Sequence, residues 1–120
     1  ALILATPTGS TAYALAAGGP ILPPELKNIL LIALAPHLSL DHAIVLAQGA
    51  TVDVIPNTDA EHDALLNIDG QVRQSLRDGD LVRASMSASV ARFIRVRPST
   101  YFYASLMARM NNNPSASKAK

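Results

Sequence analysis

The stretch ATPTGSTAY, Ala5–Tyr13, decides how the beginning of the chain folds. It follows four apolar residues that predict a short buried strand. Pro7 has no backbone donor and ends that strand, and Gly9 permits a tight bend. Ser10 or Thr11 then provides an N-cap for a short helix. The stretch therefore predicts a strand, a hydroxyl-rich elbow and a helix whose N-terminus favours an anion or a carbonyl oxygen.

Composition limits the classes of protein that this sequence can encode. The chain has 120 residues, enough for one domain with a modest core, and its apolar residues are nearly all aliphatic because only 4% of the chain is aromatic. The net charge of +1 argues against a nucleic-acid partner, and cysteine is absent, which excludes disulfides and thiol chemistry. No apolar run approaches the roughly 18 residues of a membrane span. We therefore expect a cytoplasmic protein without a nucleic-acid or membrane partner.

Beyond the elbow, turn signals divide the chain into short strands. Residues 28–34 are apolar almost throughout and predict a strand buried on both faces. Gly49 and the pair Asp78-Gly79 predict hairpins between the strands that flank them, and Gly70 predicts a turn or a bulge.

Two stretches near the end of the chain alternate in side-chain character, and a helix follows them. Leu81–Ala88 and Val90–Val96 predict strands. Tyr101–Met110 predicts an amphipathic helix, and residues 111–120 predict a disordered tail. The whole pattern predicts a mainly β fold over residues 1–110, sandwich-like and antiparallel, with a short helix near each end.

Four segments together resemble the NAD kinase family, whose members phosphorylate NAD to NADP. They are TPTGSTAY at 6–13, APHLS at 35–39, IDGQ at 68–71 and LRDGD at 76–80. The resemblance covers roughly residues 1–110 and implies the NAD-binding, β-rich C-terminal domain of that family. It also implies an N-terminal α/β domain, with a glycine-rich catalytic motif, that is not in this sequence.

The resemblance implies a set of NAD-binding residues. Short hydroxyls can donate or accept hydrogen bonds, small residues let the backbone approach the ligand, and a tyrosine ring can stack on it. Asp69 could accept a hydrogen bond from a ribose hydroxyl. The implied residues are Thr6, Thr8, Gly9, Ser10, Thr11, Ala12, Tyr13, Ala16, Asp69 and Gly70, with His37 as a weaker contact.

The same residues are also compatible with other interpretations. The elbow lacks the lysine of a P-loop and is not a G-x-S-x-G nucleophile elbow. Without the resemblance, the local sequence favours a plain capped turn and a ligand site equally. Tyr13 could pack in the core instead of contacting a ligand. The acidic segment 59–63 lacks the glycine and spacing of a calcium loop, so it predicts a solvated loop and not a metal site.

The resemblance also implies a reaction. A phosphoryl group passes from ATP, or from polyphosphate in some members, to the 2′-hydroxyl of the adenosine ribose of NAD. Mg²⁺ or another divalent cation accompanies the ATP, and a carboxylate of the N-terminal domain takes the hydroxyl proton. We therefore expect no catalytic residue in this chain, no metal bound by it alone and no kinase activity of the isolated chain. The resemblance further implies a homodimer or homotetramer.

Two alternatives stay open at this point. One is a non-catalytic β-domain that binds a nucleotide or only assembles subunits. The other, more distant, is a lipid kinase of the same broad superfamily.

Overall fold

A computed structural model describes residues 1–34, 42–57, 64–94, 96–98 and 100–111. The predicted contact at His37, the acidic segment 59–63 and most of the predicted tail lie outside the described residues. The prediction of a mainly β, antiparallel fold with a short helix near each end is confirmed. Its elements are β1 Leu2–Ala5, a 3₁₀ helix Thr8–Thr11, α1 Tyr13–Ala16, β2 Ile29–Ala33, β3 Ile44–Leu46, β4 Thr51–Val54, β5 Ala64–Ile68, β6 Val72–Leu76, β7 Val82–Ser85 and α2 Tyr101–Asn111.

The core of the chain forms around β2, the central strand of an antiparallel sheet in the order β1-β2-β3. Leu30 pairs with Ala5 on one side and with Val45 on the other, and its side chain is fully buried. Leu30 and Ile32 pack with Ala14 and Leu22. On the other face of β2, Ile29 is buried but Leu31 and Ala33 are half-buried, so the prediction that this strand is buried on both faces holds fully for one face and in part for the other. The strand β1, predicted to be buried, is only partly so: Ile3, Leu4 and Ala5 are half-buried and Leu2 is exposed.

The remaining strands form two antiparallel pairs, β4 with β7 and β5 with β6, and the second pair is a hairpin. Its turn has a positive φ at both central residues, 50° at Asp69 and 72° at Gly70. The Gln71 N–H donates to the Ile68 carbonyl at 3.0 Å. These φ signs are those of a type I′ turn, whose twist matches that of the flanking strands.

The two predicted hairpins are wrong. The turn at Gly49 joins β3 to β4, and the turn at Asp78-Gly79 joins β6 to β7, but in each case the two strands belong to different sheets. In both turns only the glycine has a positive φ, 84° at Gly49 and 81° at Gly79. This sign pattern is typical of a type II turn, which splays the flanking strands instead of pairing them.

A second compact unit begins at Ala88. The predicted helix is confirmed as α2. The guanidinium of Arg97, which precedes the helix, lies 4.5 Å from the ring centroid of Tyr101, the first residue of the helix. The strand predicted over Val90–Val96 does not form in the described part of that segment, where Phe93 and Ile94 are 88% and 95% exposed. Alternation alone does not make a strand, because a strand needs a neighbour for its backbone donors and acceptors.

Neither of the described helices is both long and apolar enough to cross a membrane. The bounds of the predicted domain, residues 1–110, stay a prediction.

Candidate functional site

The elbow between β1 and α1 is a 3₁₀ helix. The Ser10 N–H donates to the carbonyls of Thr6 and Pro7, at 2.9 and 3.1 Å, and the Ala12 N–H donates to the Gly9 carbonyl at 3.0 Å. The predicted N-cap at Ser10 or Thr11 is wrong. The helix α1 begins at Tyr13, after Ala12, whose methyl group cannot cap a helix. The reason is that the 3₁₀ helix already occupies the residues that would have formed the cap.

Two threonines of the elbow hydrogen-bond to its own backbone. The Gly9 N–H donates to Thr6 Oγ1 at 3.2 Å, and the Thr11 hydroxyl donates to the Thr8 carbonyl at 3.2 Å. A hydroxyl has one proton and two acceptor lone pairs, so Thr6 can still donate and Thr11 can still accept. Both residues are exposed, as is Thr8. The elbow therefore presents hydroxyls to solvent with part of their hydrogen-bonding capacity unused.

The hydroxyl of Ser10 points the other way, into the fold. Ser10 is 0% exposed. Its Oγ accepts a hydrogen bond from the Leu22 N–H at 2.9 Å and donates to the Pro7 carbonyl at 2.6 Å, while the Leu22 carbonyl lies 3.5 Å away. Among the described residues no buried side-chain polar atom lacks a partner. Ser10 thus ties the elbow to a segment twelve residues further along the chain.

The end of α1 fixes the short helix against the sheet. Gly18 has a φ of 82°, its N–H donates to Leu15, and the Gly19 N–H donates to Ala14 at 2.9 Å. These two bonds form a Schellman motif, which confirms the prediction that the glycines end the helix. A Cβ on Gly19 would lie 2.4 Å from Ile32 Cδ1. The helix end therefore packs directly on β2.

Tyr13 lies at the start of α1 and is 67% exposed, so it does not pack in the core. Ala14, the next residue, is 1% exposed and forms part of the core instead. Ala12 and Ala16 are also exposed. The elbow and α1 thus bring eight of the predicted site residues together, with Ser10 as the buried member.

The other two predicted residues, Asp69 and Gly70, form the type I′ turn of the β5–β6 hairpin. The Gly70 N–H donates to Asn67 Oδ1 at 3.1 Å, and Asp69 is exposed. No hydrogen bond among the described residues joins this turn to the elbow. Asp69 is the one non-glycine residue with positive φ in the described part of the chain. A type I′ turn requires this conformation at its first central residue, and aspartate tolerates it.

A salt bridge on a different strand pair has a structural explanation. Asp53 and Arg83 are direct partners in the β4–β7 register, and Arg83 Nε and Nη2 each donate to a carboxylate oxygen at 2.7 Å. These hydrogen bonds lower the pKa of Asp53. The pair is a cross-strand contact on an exposed face.

Two structural partners of the site were missed in the sequence. Leu22 supplies the backbone donor for Ser10, and Ile32 is one of the two groups that a Cβ at position 19 would clash with. Both contacts join residues at least twelve positions apart, and neither local composition nor periodicity carries a signal for them.

The fold and the site define a β-rich domain with a hydroxyl-rich elbow between a strand and a short helix. A family model described as "ATP-NAD kinase C-terminal domain" matches residues 1–96. The chain belongs to this family.

Similar proteins carry the same family name. The NAD kinase of Dehalococcoides mccartyi strain CBDB1 is 40% identical over 111 residues, which cover 92% of this chain and 38% of that protein. The NAD kinase of Chloroflexus aurantiacus strain J-10-fl is 43% identical over 112 residues, covering 93% and 40%. That of Geobacter sp. strain M21 is 41% identical over 101 residues, covering 84% and 35%. The chain therefore spans 35% to 40% of the length of these relatives.

Proposed function

We propose that this chain is the NAD-binding and subunit-assembly half of an NAD kinase. The observation that carries the proposal is the elbow itself. It holds exposed hydroxyls and an exposed tyrosine on a frame made rigid by internal hydrogen bonds, and it belongs to a family whose relatives are named NAD kinase. A preformed frame lowers the entropic cost of binding, because the groups that contact the ligand are already ordered.

Each exposed group of the elbow suits one part of a dinucleotide. The Tyr13 ring offers a flat apolar face on which an aromatic base can stack. The hydroxyls of Thr8 and Thr11 can hydrogen-bond to polar groups of the ligand. Gly9, Ala12 and Ala16 have no long side chain to block its approach to the backbone. Ala16 cannot donate a hydrogen bond, so this position contributes shape alone.

The hairpin turn is the second proposed contact. An exposed aspartate accepts hydrogen bonds from hydroxyls, as a ribose would offer them. Asp69 holds its carboxylate on a turn of fixed geometry, since the Gly70 N–H is already bonded to Asn67. His37, from the segment 35–39, stays a weaker proposed contact.

The phosphoryl transfer needs groups that we place outside this chain. Among the described residues no three acidic, histidine or cysteine side chains come together as a metal site. We assign no step to a metal ion and no catalytic base to this chain. In the proposal, ATP or polyphosphate, the divalent cation and the base meet the 2′-hydroxyl of NAD in the part of the protein that the longer relatives have in addition. A cytoplasmic homodimer or homotetramer completes the proposal.

Calorimetric titration of NAD into the chain tests the binding role. We expect saturable binding, and we expect Tyr13→Ala to weaken it at least fivefold, since stacking of a base on an aromatic ring contributes about 1–3 kcal/mol. The matched control is Tyr103→Ala, which removes a tyrosine that is 54% exposed on α2. It should change the affinity less than twofold. Absence of binding, or equal losses in both variants, would contradict the proposal.

A second assay tests whether the catalytic groups lie outside this chain. The chain incubated with NAD, ATP and Mg²⁺ should form no NADP, because we place the catalytic base outside it. NADP formation by the purified chain would show that the catalytic groups are in this chain after all.

A further inference from the structure

We propose that Ser10 is a positioning residue of the NAD site, whose buried hydroxyl fixes the face that the elbow turns toward the ligand. The inference rests on the proposed function, because it assigns a role within that site. This positioning role differs from that of a direct ligand contact, because Ser10 is 0% exposed and its hydroxyl is hydrogen-bonded to Pro7 and Leu22.

The geometry of a 3₁₀ helix links Ser10 to the exposed groups. Such a helix has three residues per turn, so side chains at i and i+3 lie above each other. Thr8 and Thr11 have this spacing, and the Thr11 hydroxyl donates to the Thr8 carbonyl. Ser10 lies one residue before Thr11 and therefore on a different side of the helix. Holding Ser10 inward thus fixes the direction in which both threonines face outward.

The burial of Leu22, the hydrogen-bond partner of Ser10, makes this contact costly to break. Leu22 is 7% exposed and packs in the core with Ala14, Leu30 and Ile32. Its N–H would be a buried donor without an acceptor if the Ser10 hydroxyl were removed. Rotation of the 3₁₀ helix away from its present orientation would break the same bond. The elbow therefore has one favoured orientation, and the bond to Leu22 selects it.

The first test compares NAD binding by the wild-type chain and two variants. Ser10→Ala removes the hydroxyl without adding volume, and we expect the Kd for NAD to rise at least fivefold. The amide shifts of the paired strands β4 and β7 should stay unchanged, which shows that the variant is folded. Ser75→Ala removes an exposed serine of β6 and serves as the matched control, with a Kd within twofold of wild type. A wild-type Kd in Ser10→Ala would overturn the inference and leave the proposed function intact. Absence of NAD binding by the wild-type chain would instead overturn the proposed function.

The second measurement needs no variant, and it decides the matter if Ser10→Ala fails to fold. If the Leu22 amide exchanges with solvent by an opening of the elbow that abolishes binding, NAD at ten times its Kd should slow that exchange about elevenfold. Exchange through global unfolding would slow core amides such as that of Leu30 by the same factor, so the inference requires the Leu22 amide to exchange faster than that of Leu30 in the free chain and still to be slowed by NAD. Exchange of the Leu22 amide at an unchanged rate would therefore overturn the inference.

Discussion

Replacing Gly19 by alanine should disturb the contact that holds α1 on the sheet. A Cβ at this position would lie 2.4 Å from Ile32 Cδ1 and 2.8 Å from the Ala14 carbonyl oxygen. The first is the end of a side chain in a packed core, and the second is backbone of the helix that Gly19 terminates. Neither atom can move without disturbing Leu30 or the Schellman motif.

The size of the stability loss in Gly19→Ala follows from these two distances. Overpacking of a well-packed core costs about 1–3 kcal/mol, and one of the two clashes is with backbone, which favours the upper half of that range. We expect Gly19→Ala to lower the free energy of unfolding by about 2–3 kcal/mol. For a domain of this size, each kcal/mol lowers Tm by about 4–8 °C.

Urea denaturation of Gly19→Ala, followed by circular dichroism, measures this loss, and Gly18→Ala is the matched control. Gly18 has a φ of 82° and no atom within 4 Å of its added Cβ, so alanine there should cost about 1–2 kcal/mol of backbone strain and no clash. The two neighbouring glycines thus separate a steric cause from a conformational one. Equal stability losses in the two variants would refute the steric reasoning.

A double-mutant cycle identifies the clashing atom. Ile32→Val removes Cδ1 and should cost about 0.5–1.5 kcal/mol in the wild type. In the Gly19→Ala background it should cost much less, because it removes one of the two clashes. Additive costs would show that Gly19 and Ile32 do not interact as the structure indicates.

Three further perturbations test the fold. Leu30→Ala should lower the free energy of unfolding by about 2–5 kcal/mol in denaturant titrations, because the side chain is fully buried in the central strand; a smaller loss would mean that the core lies elsewhere. Gly70→Ala should cost about 1–2 kcal/mol in thermal unfolding and Gly70→Asn less, since the φ of 72° belongs to a region that asparagine tolerates; equal costs would contradict the type I′ turn. Arg83 lowers the pKa of Asp53 below its ordinary 3.8, so the pair stabilises the fold above that value, and the stabilisation is lost as the pH falls through the lower pKa of the folded state. Asp53→Asn should therefore flatten the plot of unfolding free energy against pH in the acid range around and below pH 3.8, by a small amount because the pair is exposed, and an unchanged plot would show that the salt bridge does not form in solution.

The two Asp-Gly pairs show how far local sequence predicts this fold. Asp78-Gly79 carries a strong hairpin signal, yet the hairpin forms at Asp69-Gly70, where a turn or bulge was predicted. The dipeptide is the same in both places. Its conformation depends on which strands pair, and at Asp78-Gly79 the flanking strands belong to different sheets. Strand pairing is a long-range property, so it could not be predicted from the dipeptide.

Signals that depend on a whole segment were more reliable. The apolar run around Leu30 predicted a strand buried on both faces, and three of its five residues are buried while two are half-buried. The spacing of apolar residues after Tyr101 predicted α2. Val90–Val96 shows the limit of this approach, because alternation predicts a strand only if another strand is available beside it.

In the candidate site, too, features set by neighbouring residues were predicted and features set by distant residues were not. The sequence predicted the elbow and its exposed hydroxyls, since both follow from the order of residues within a few positions. It did not predict that Ser10 is buried, because its partner, Leu22, lies twelve residues further along the chain.

The central claim is that the elbow and the hairpin turn form an NAD site in this chain. Titration with NAD, followed residue by residue through backbone amide NMR shifts, tests it most directly. We expect saturable shifts at Thr8–Tyr13 and at Asp69-Gly70 with a single Kd. Shifts that do not saturate, or no shifts at these residues at millimolar NAD, would contradict the claim that the site is preformed in this chain.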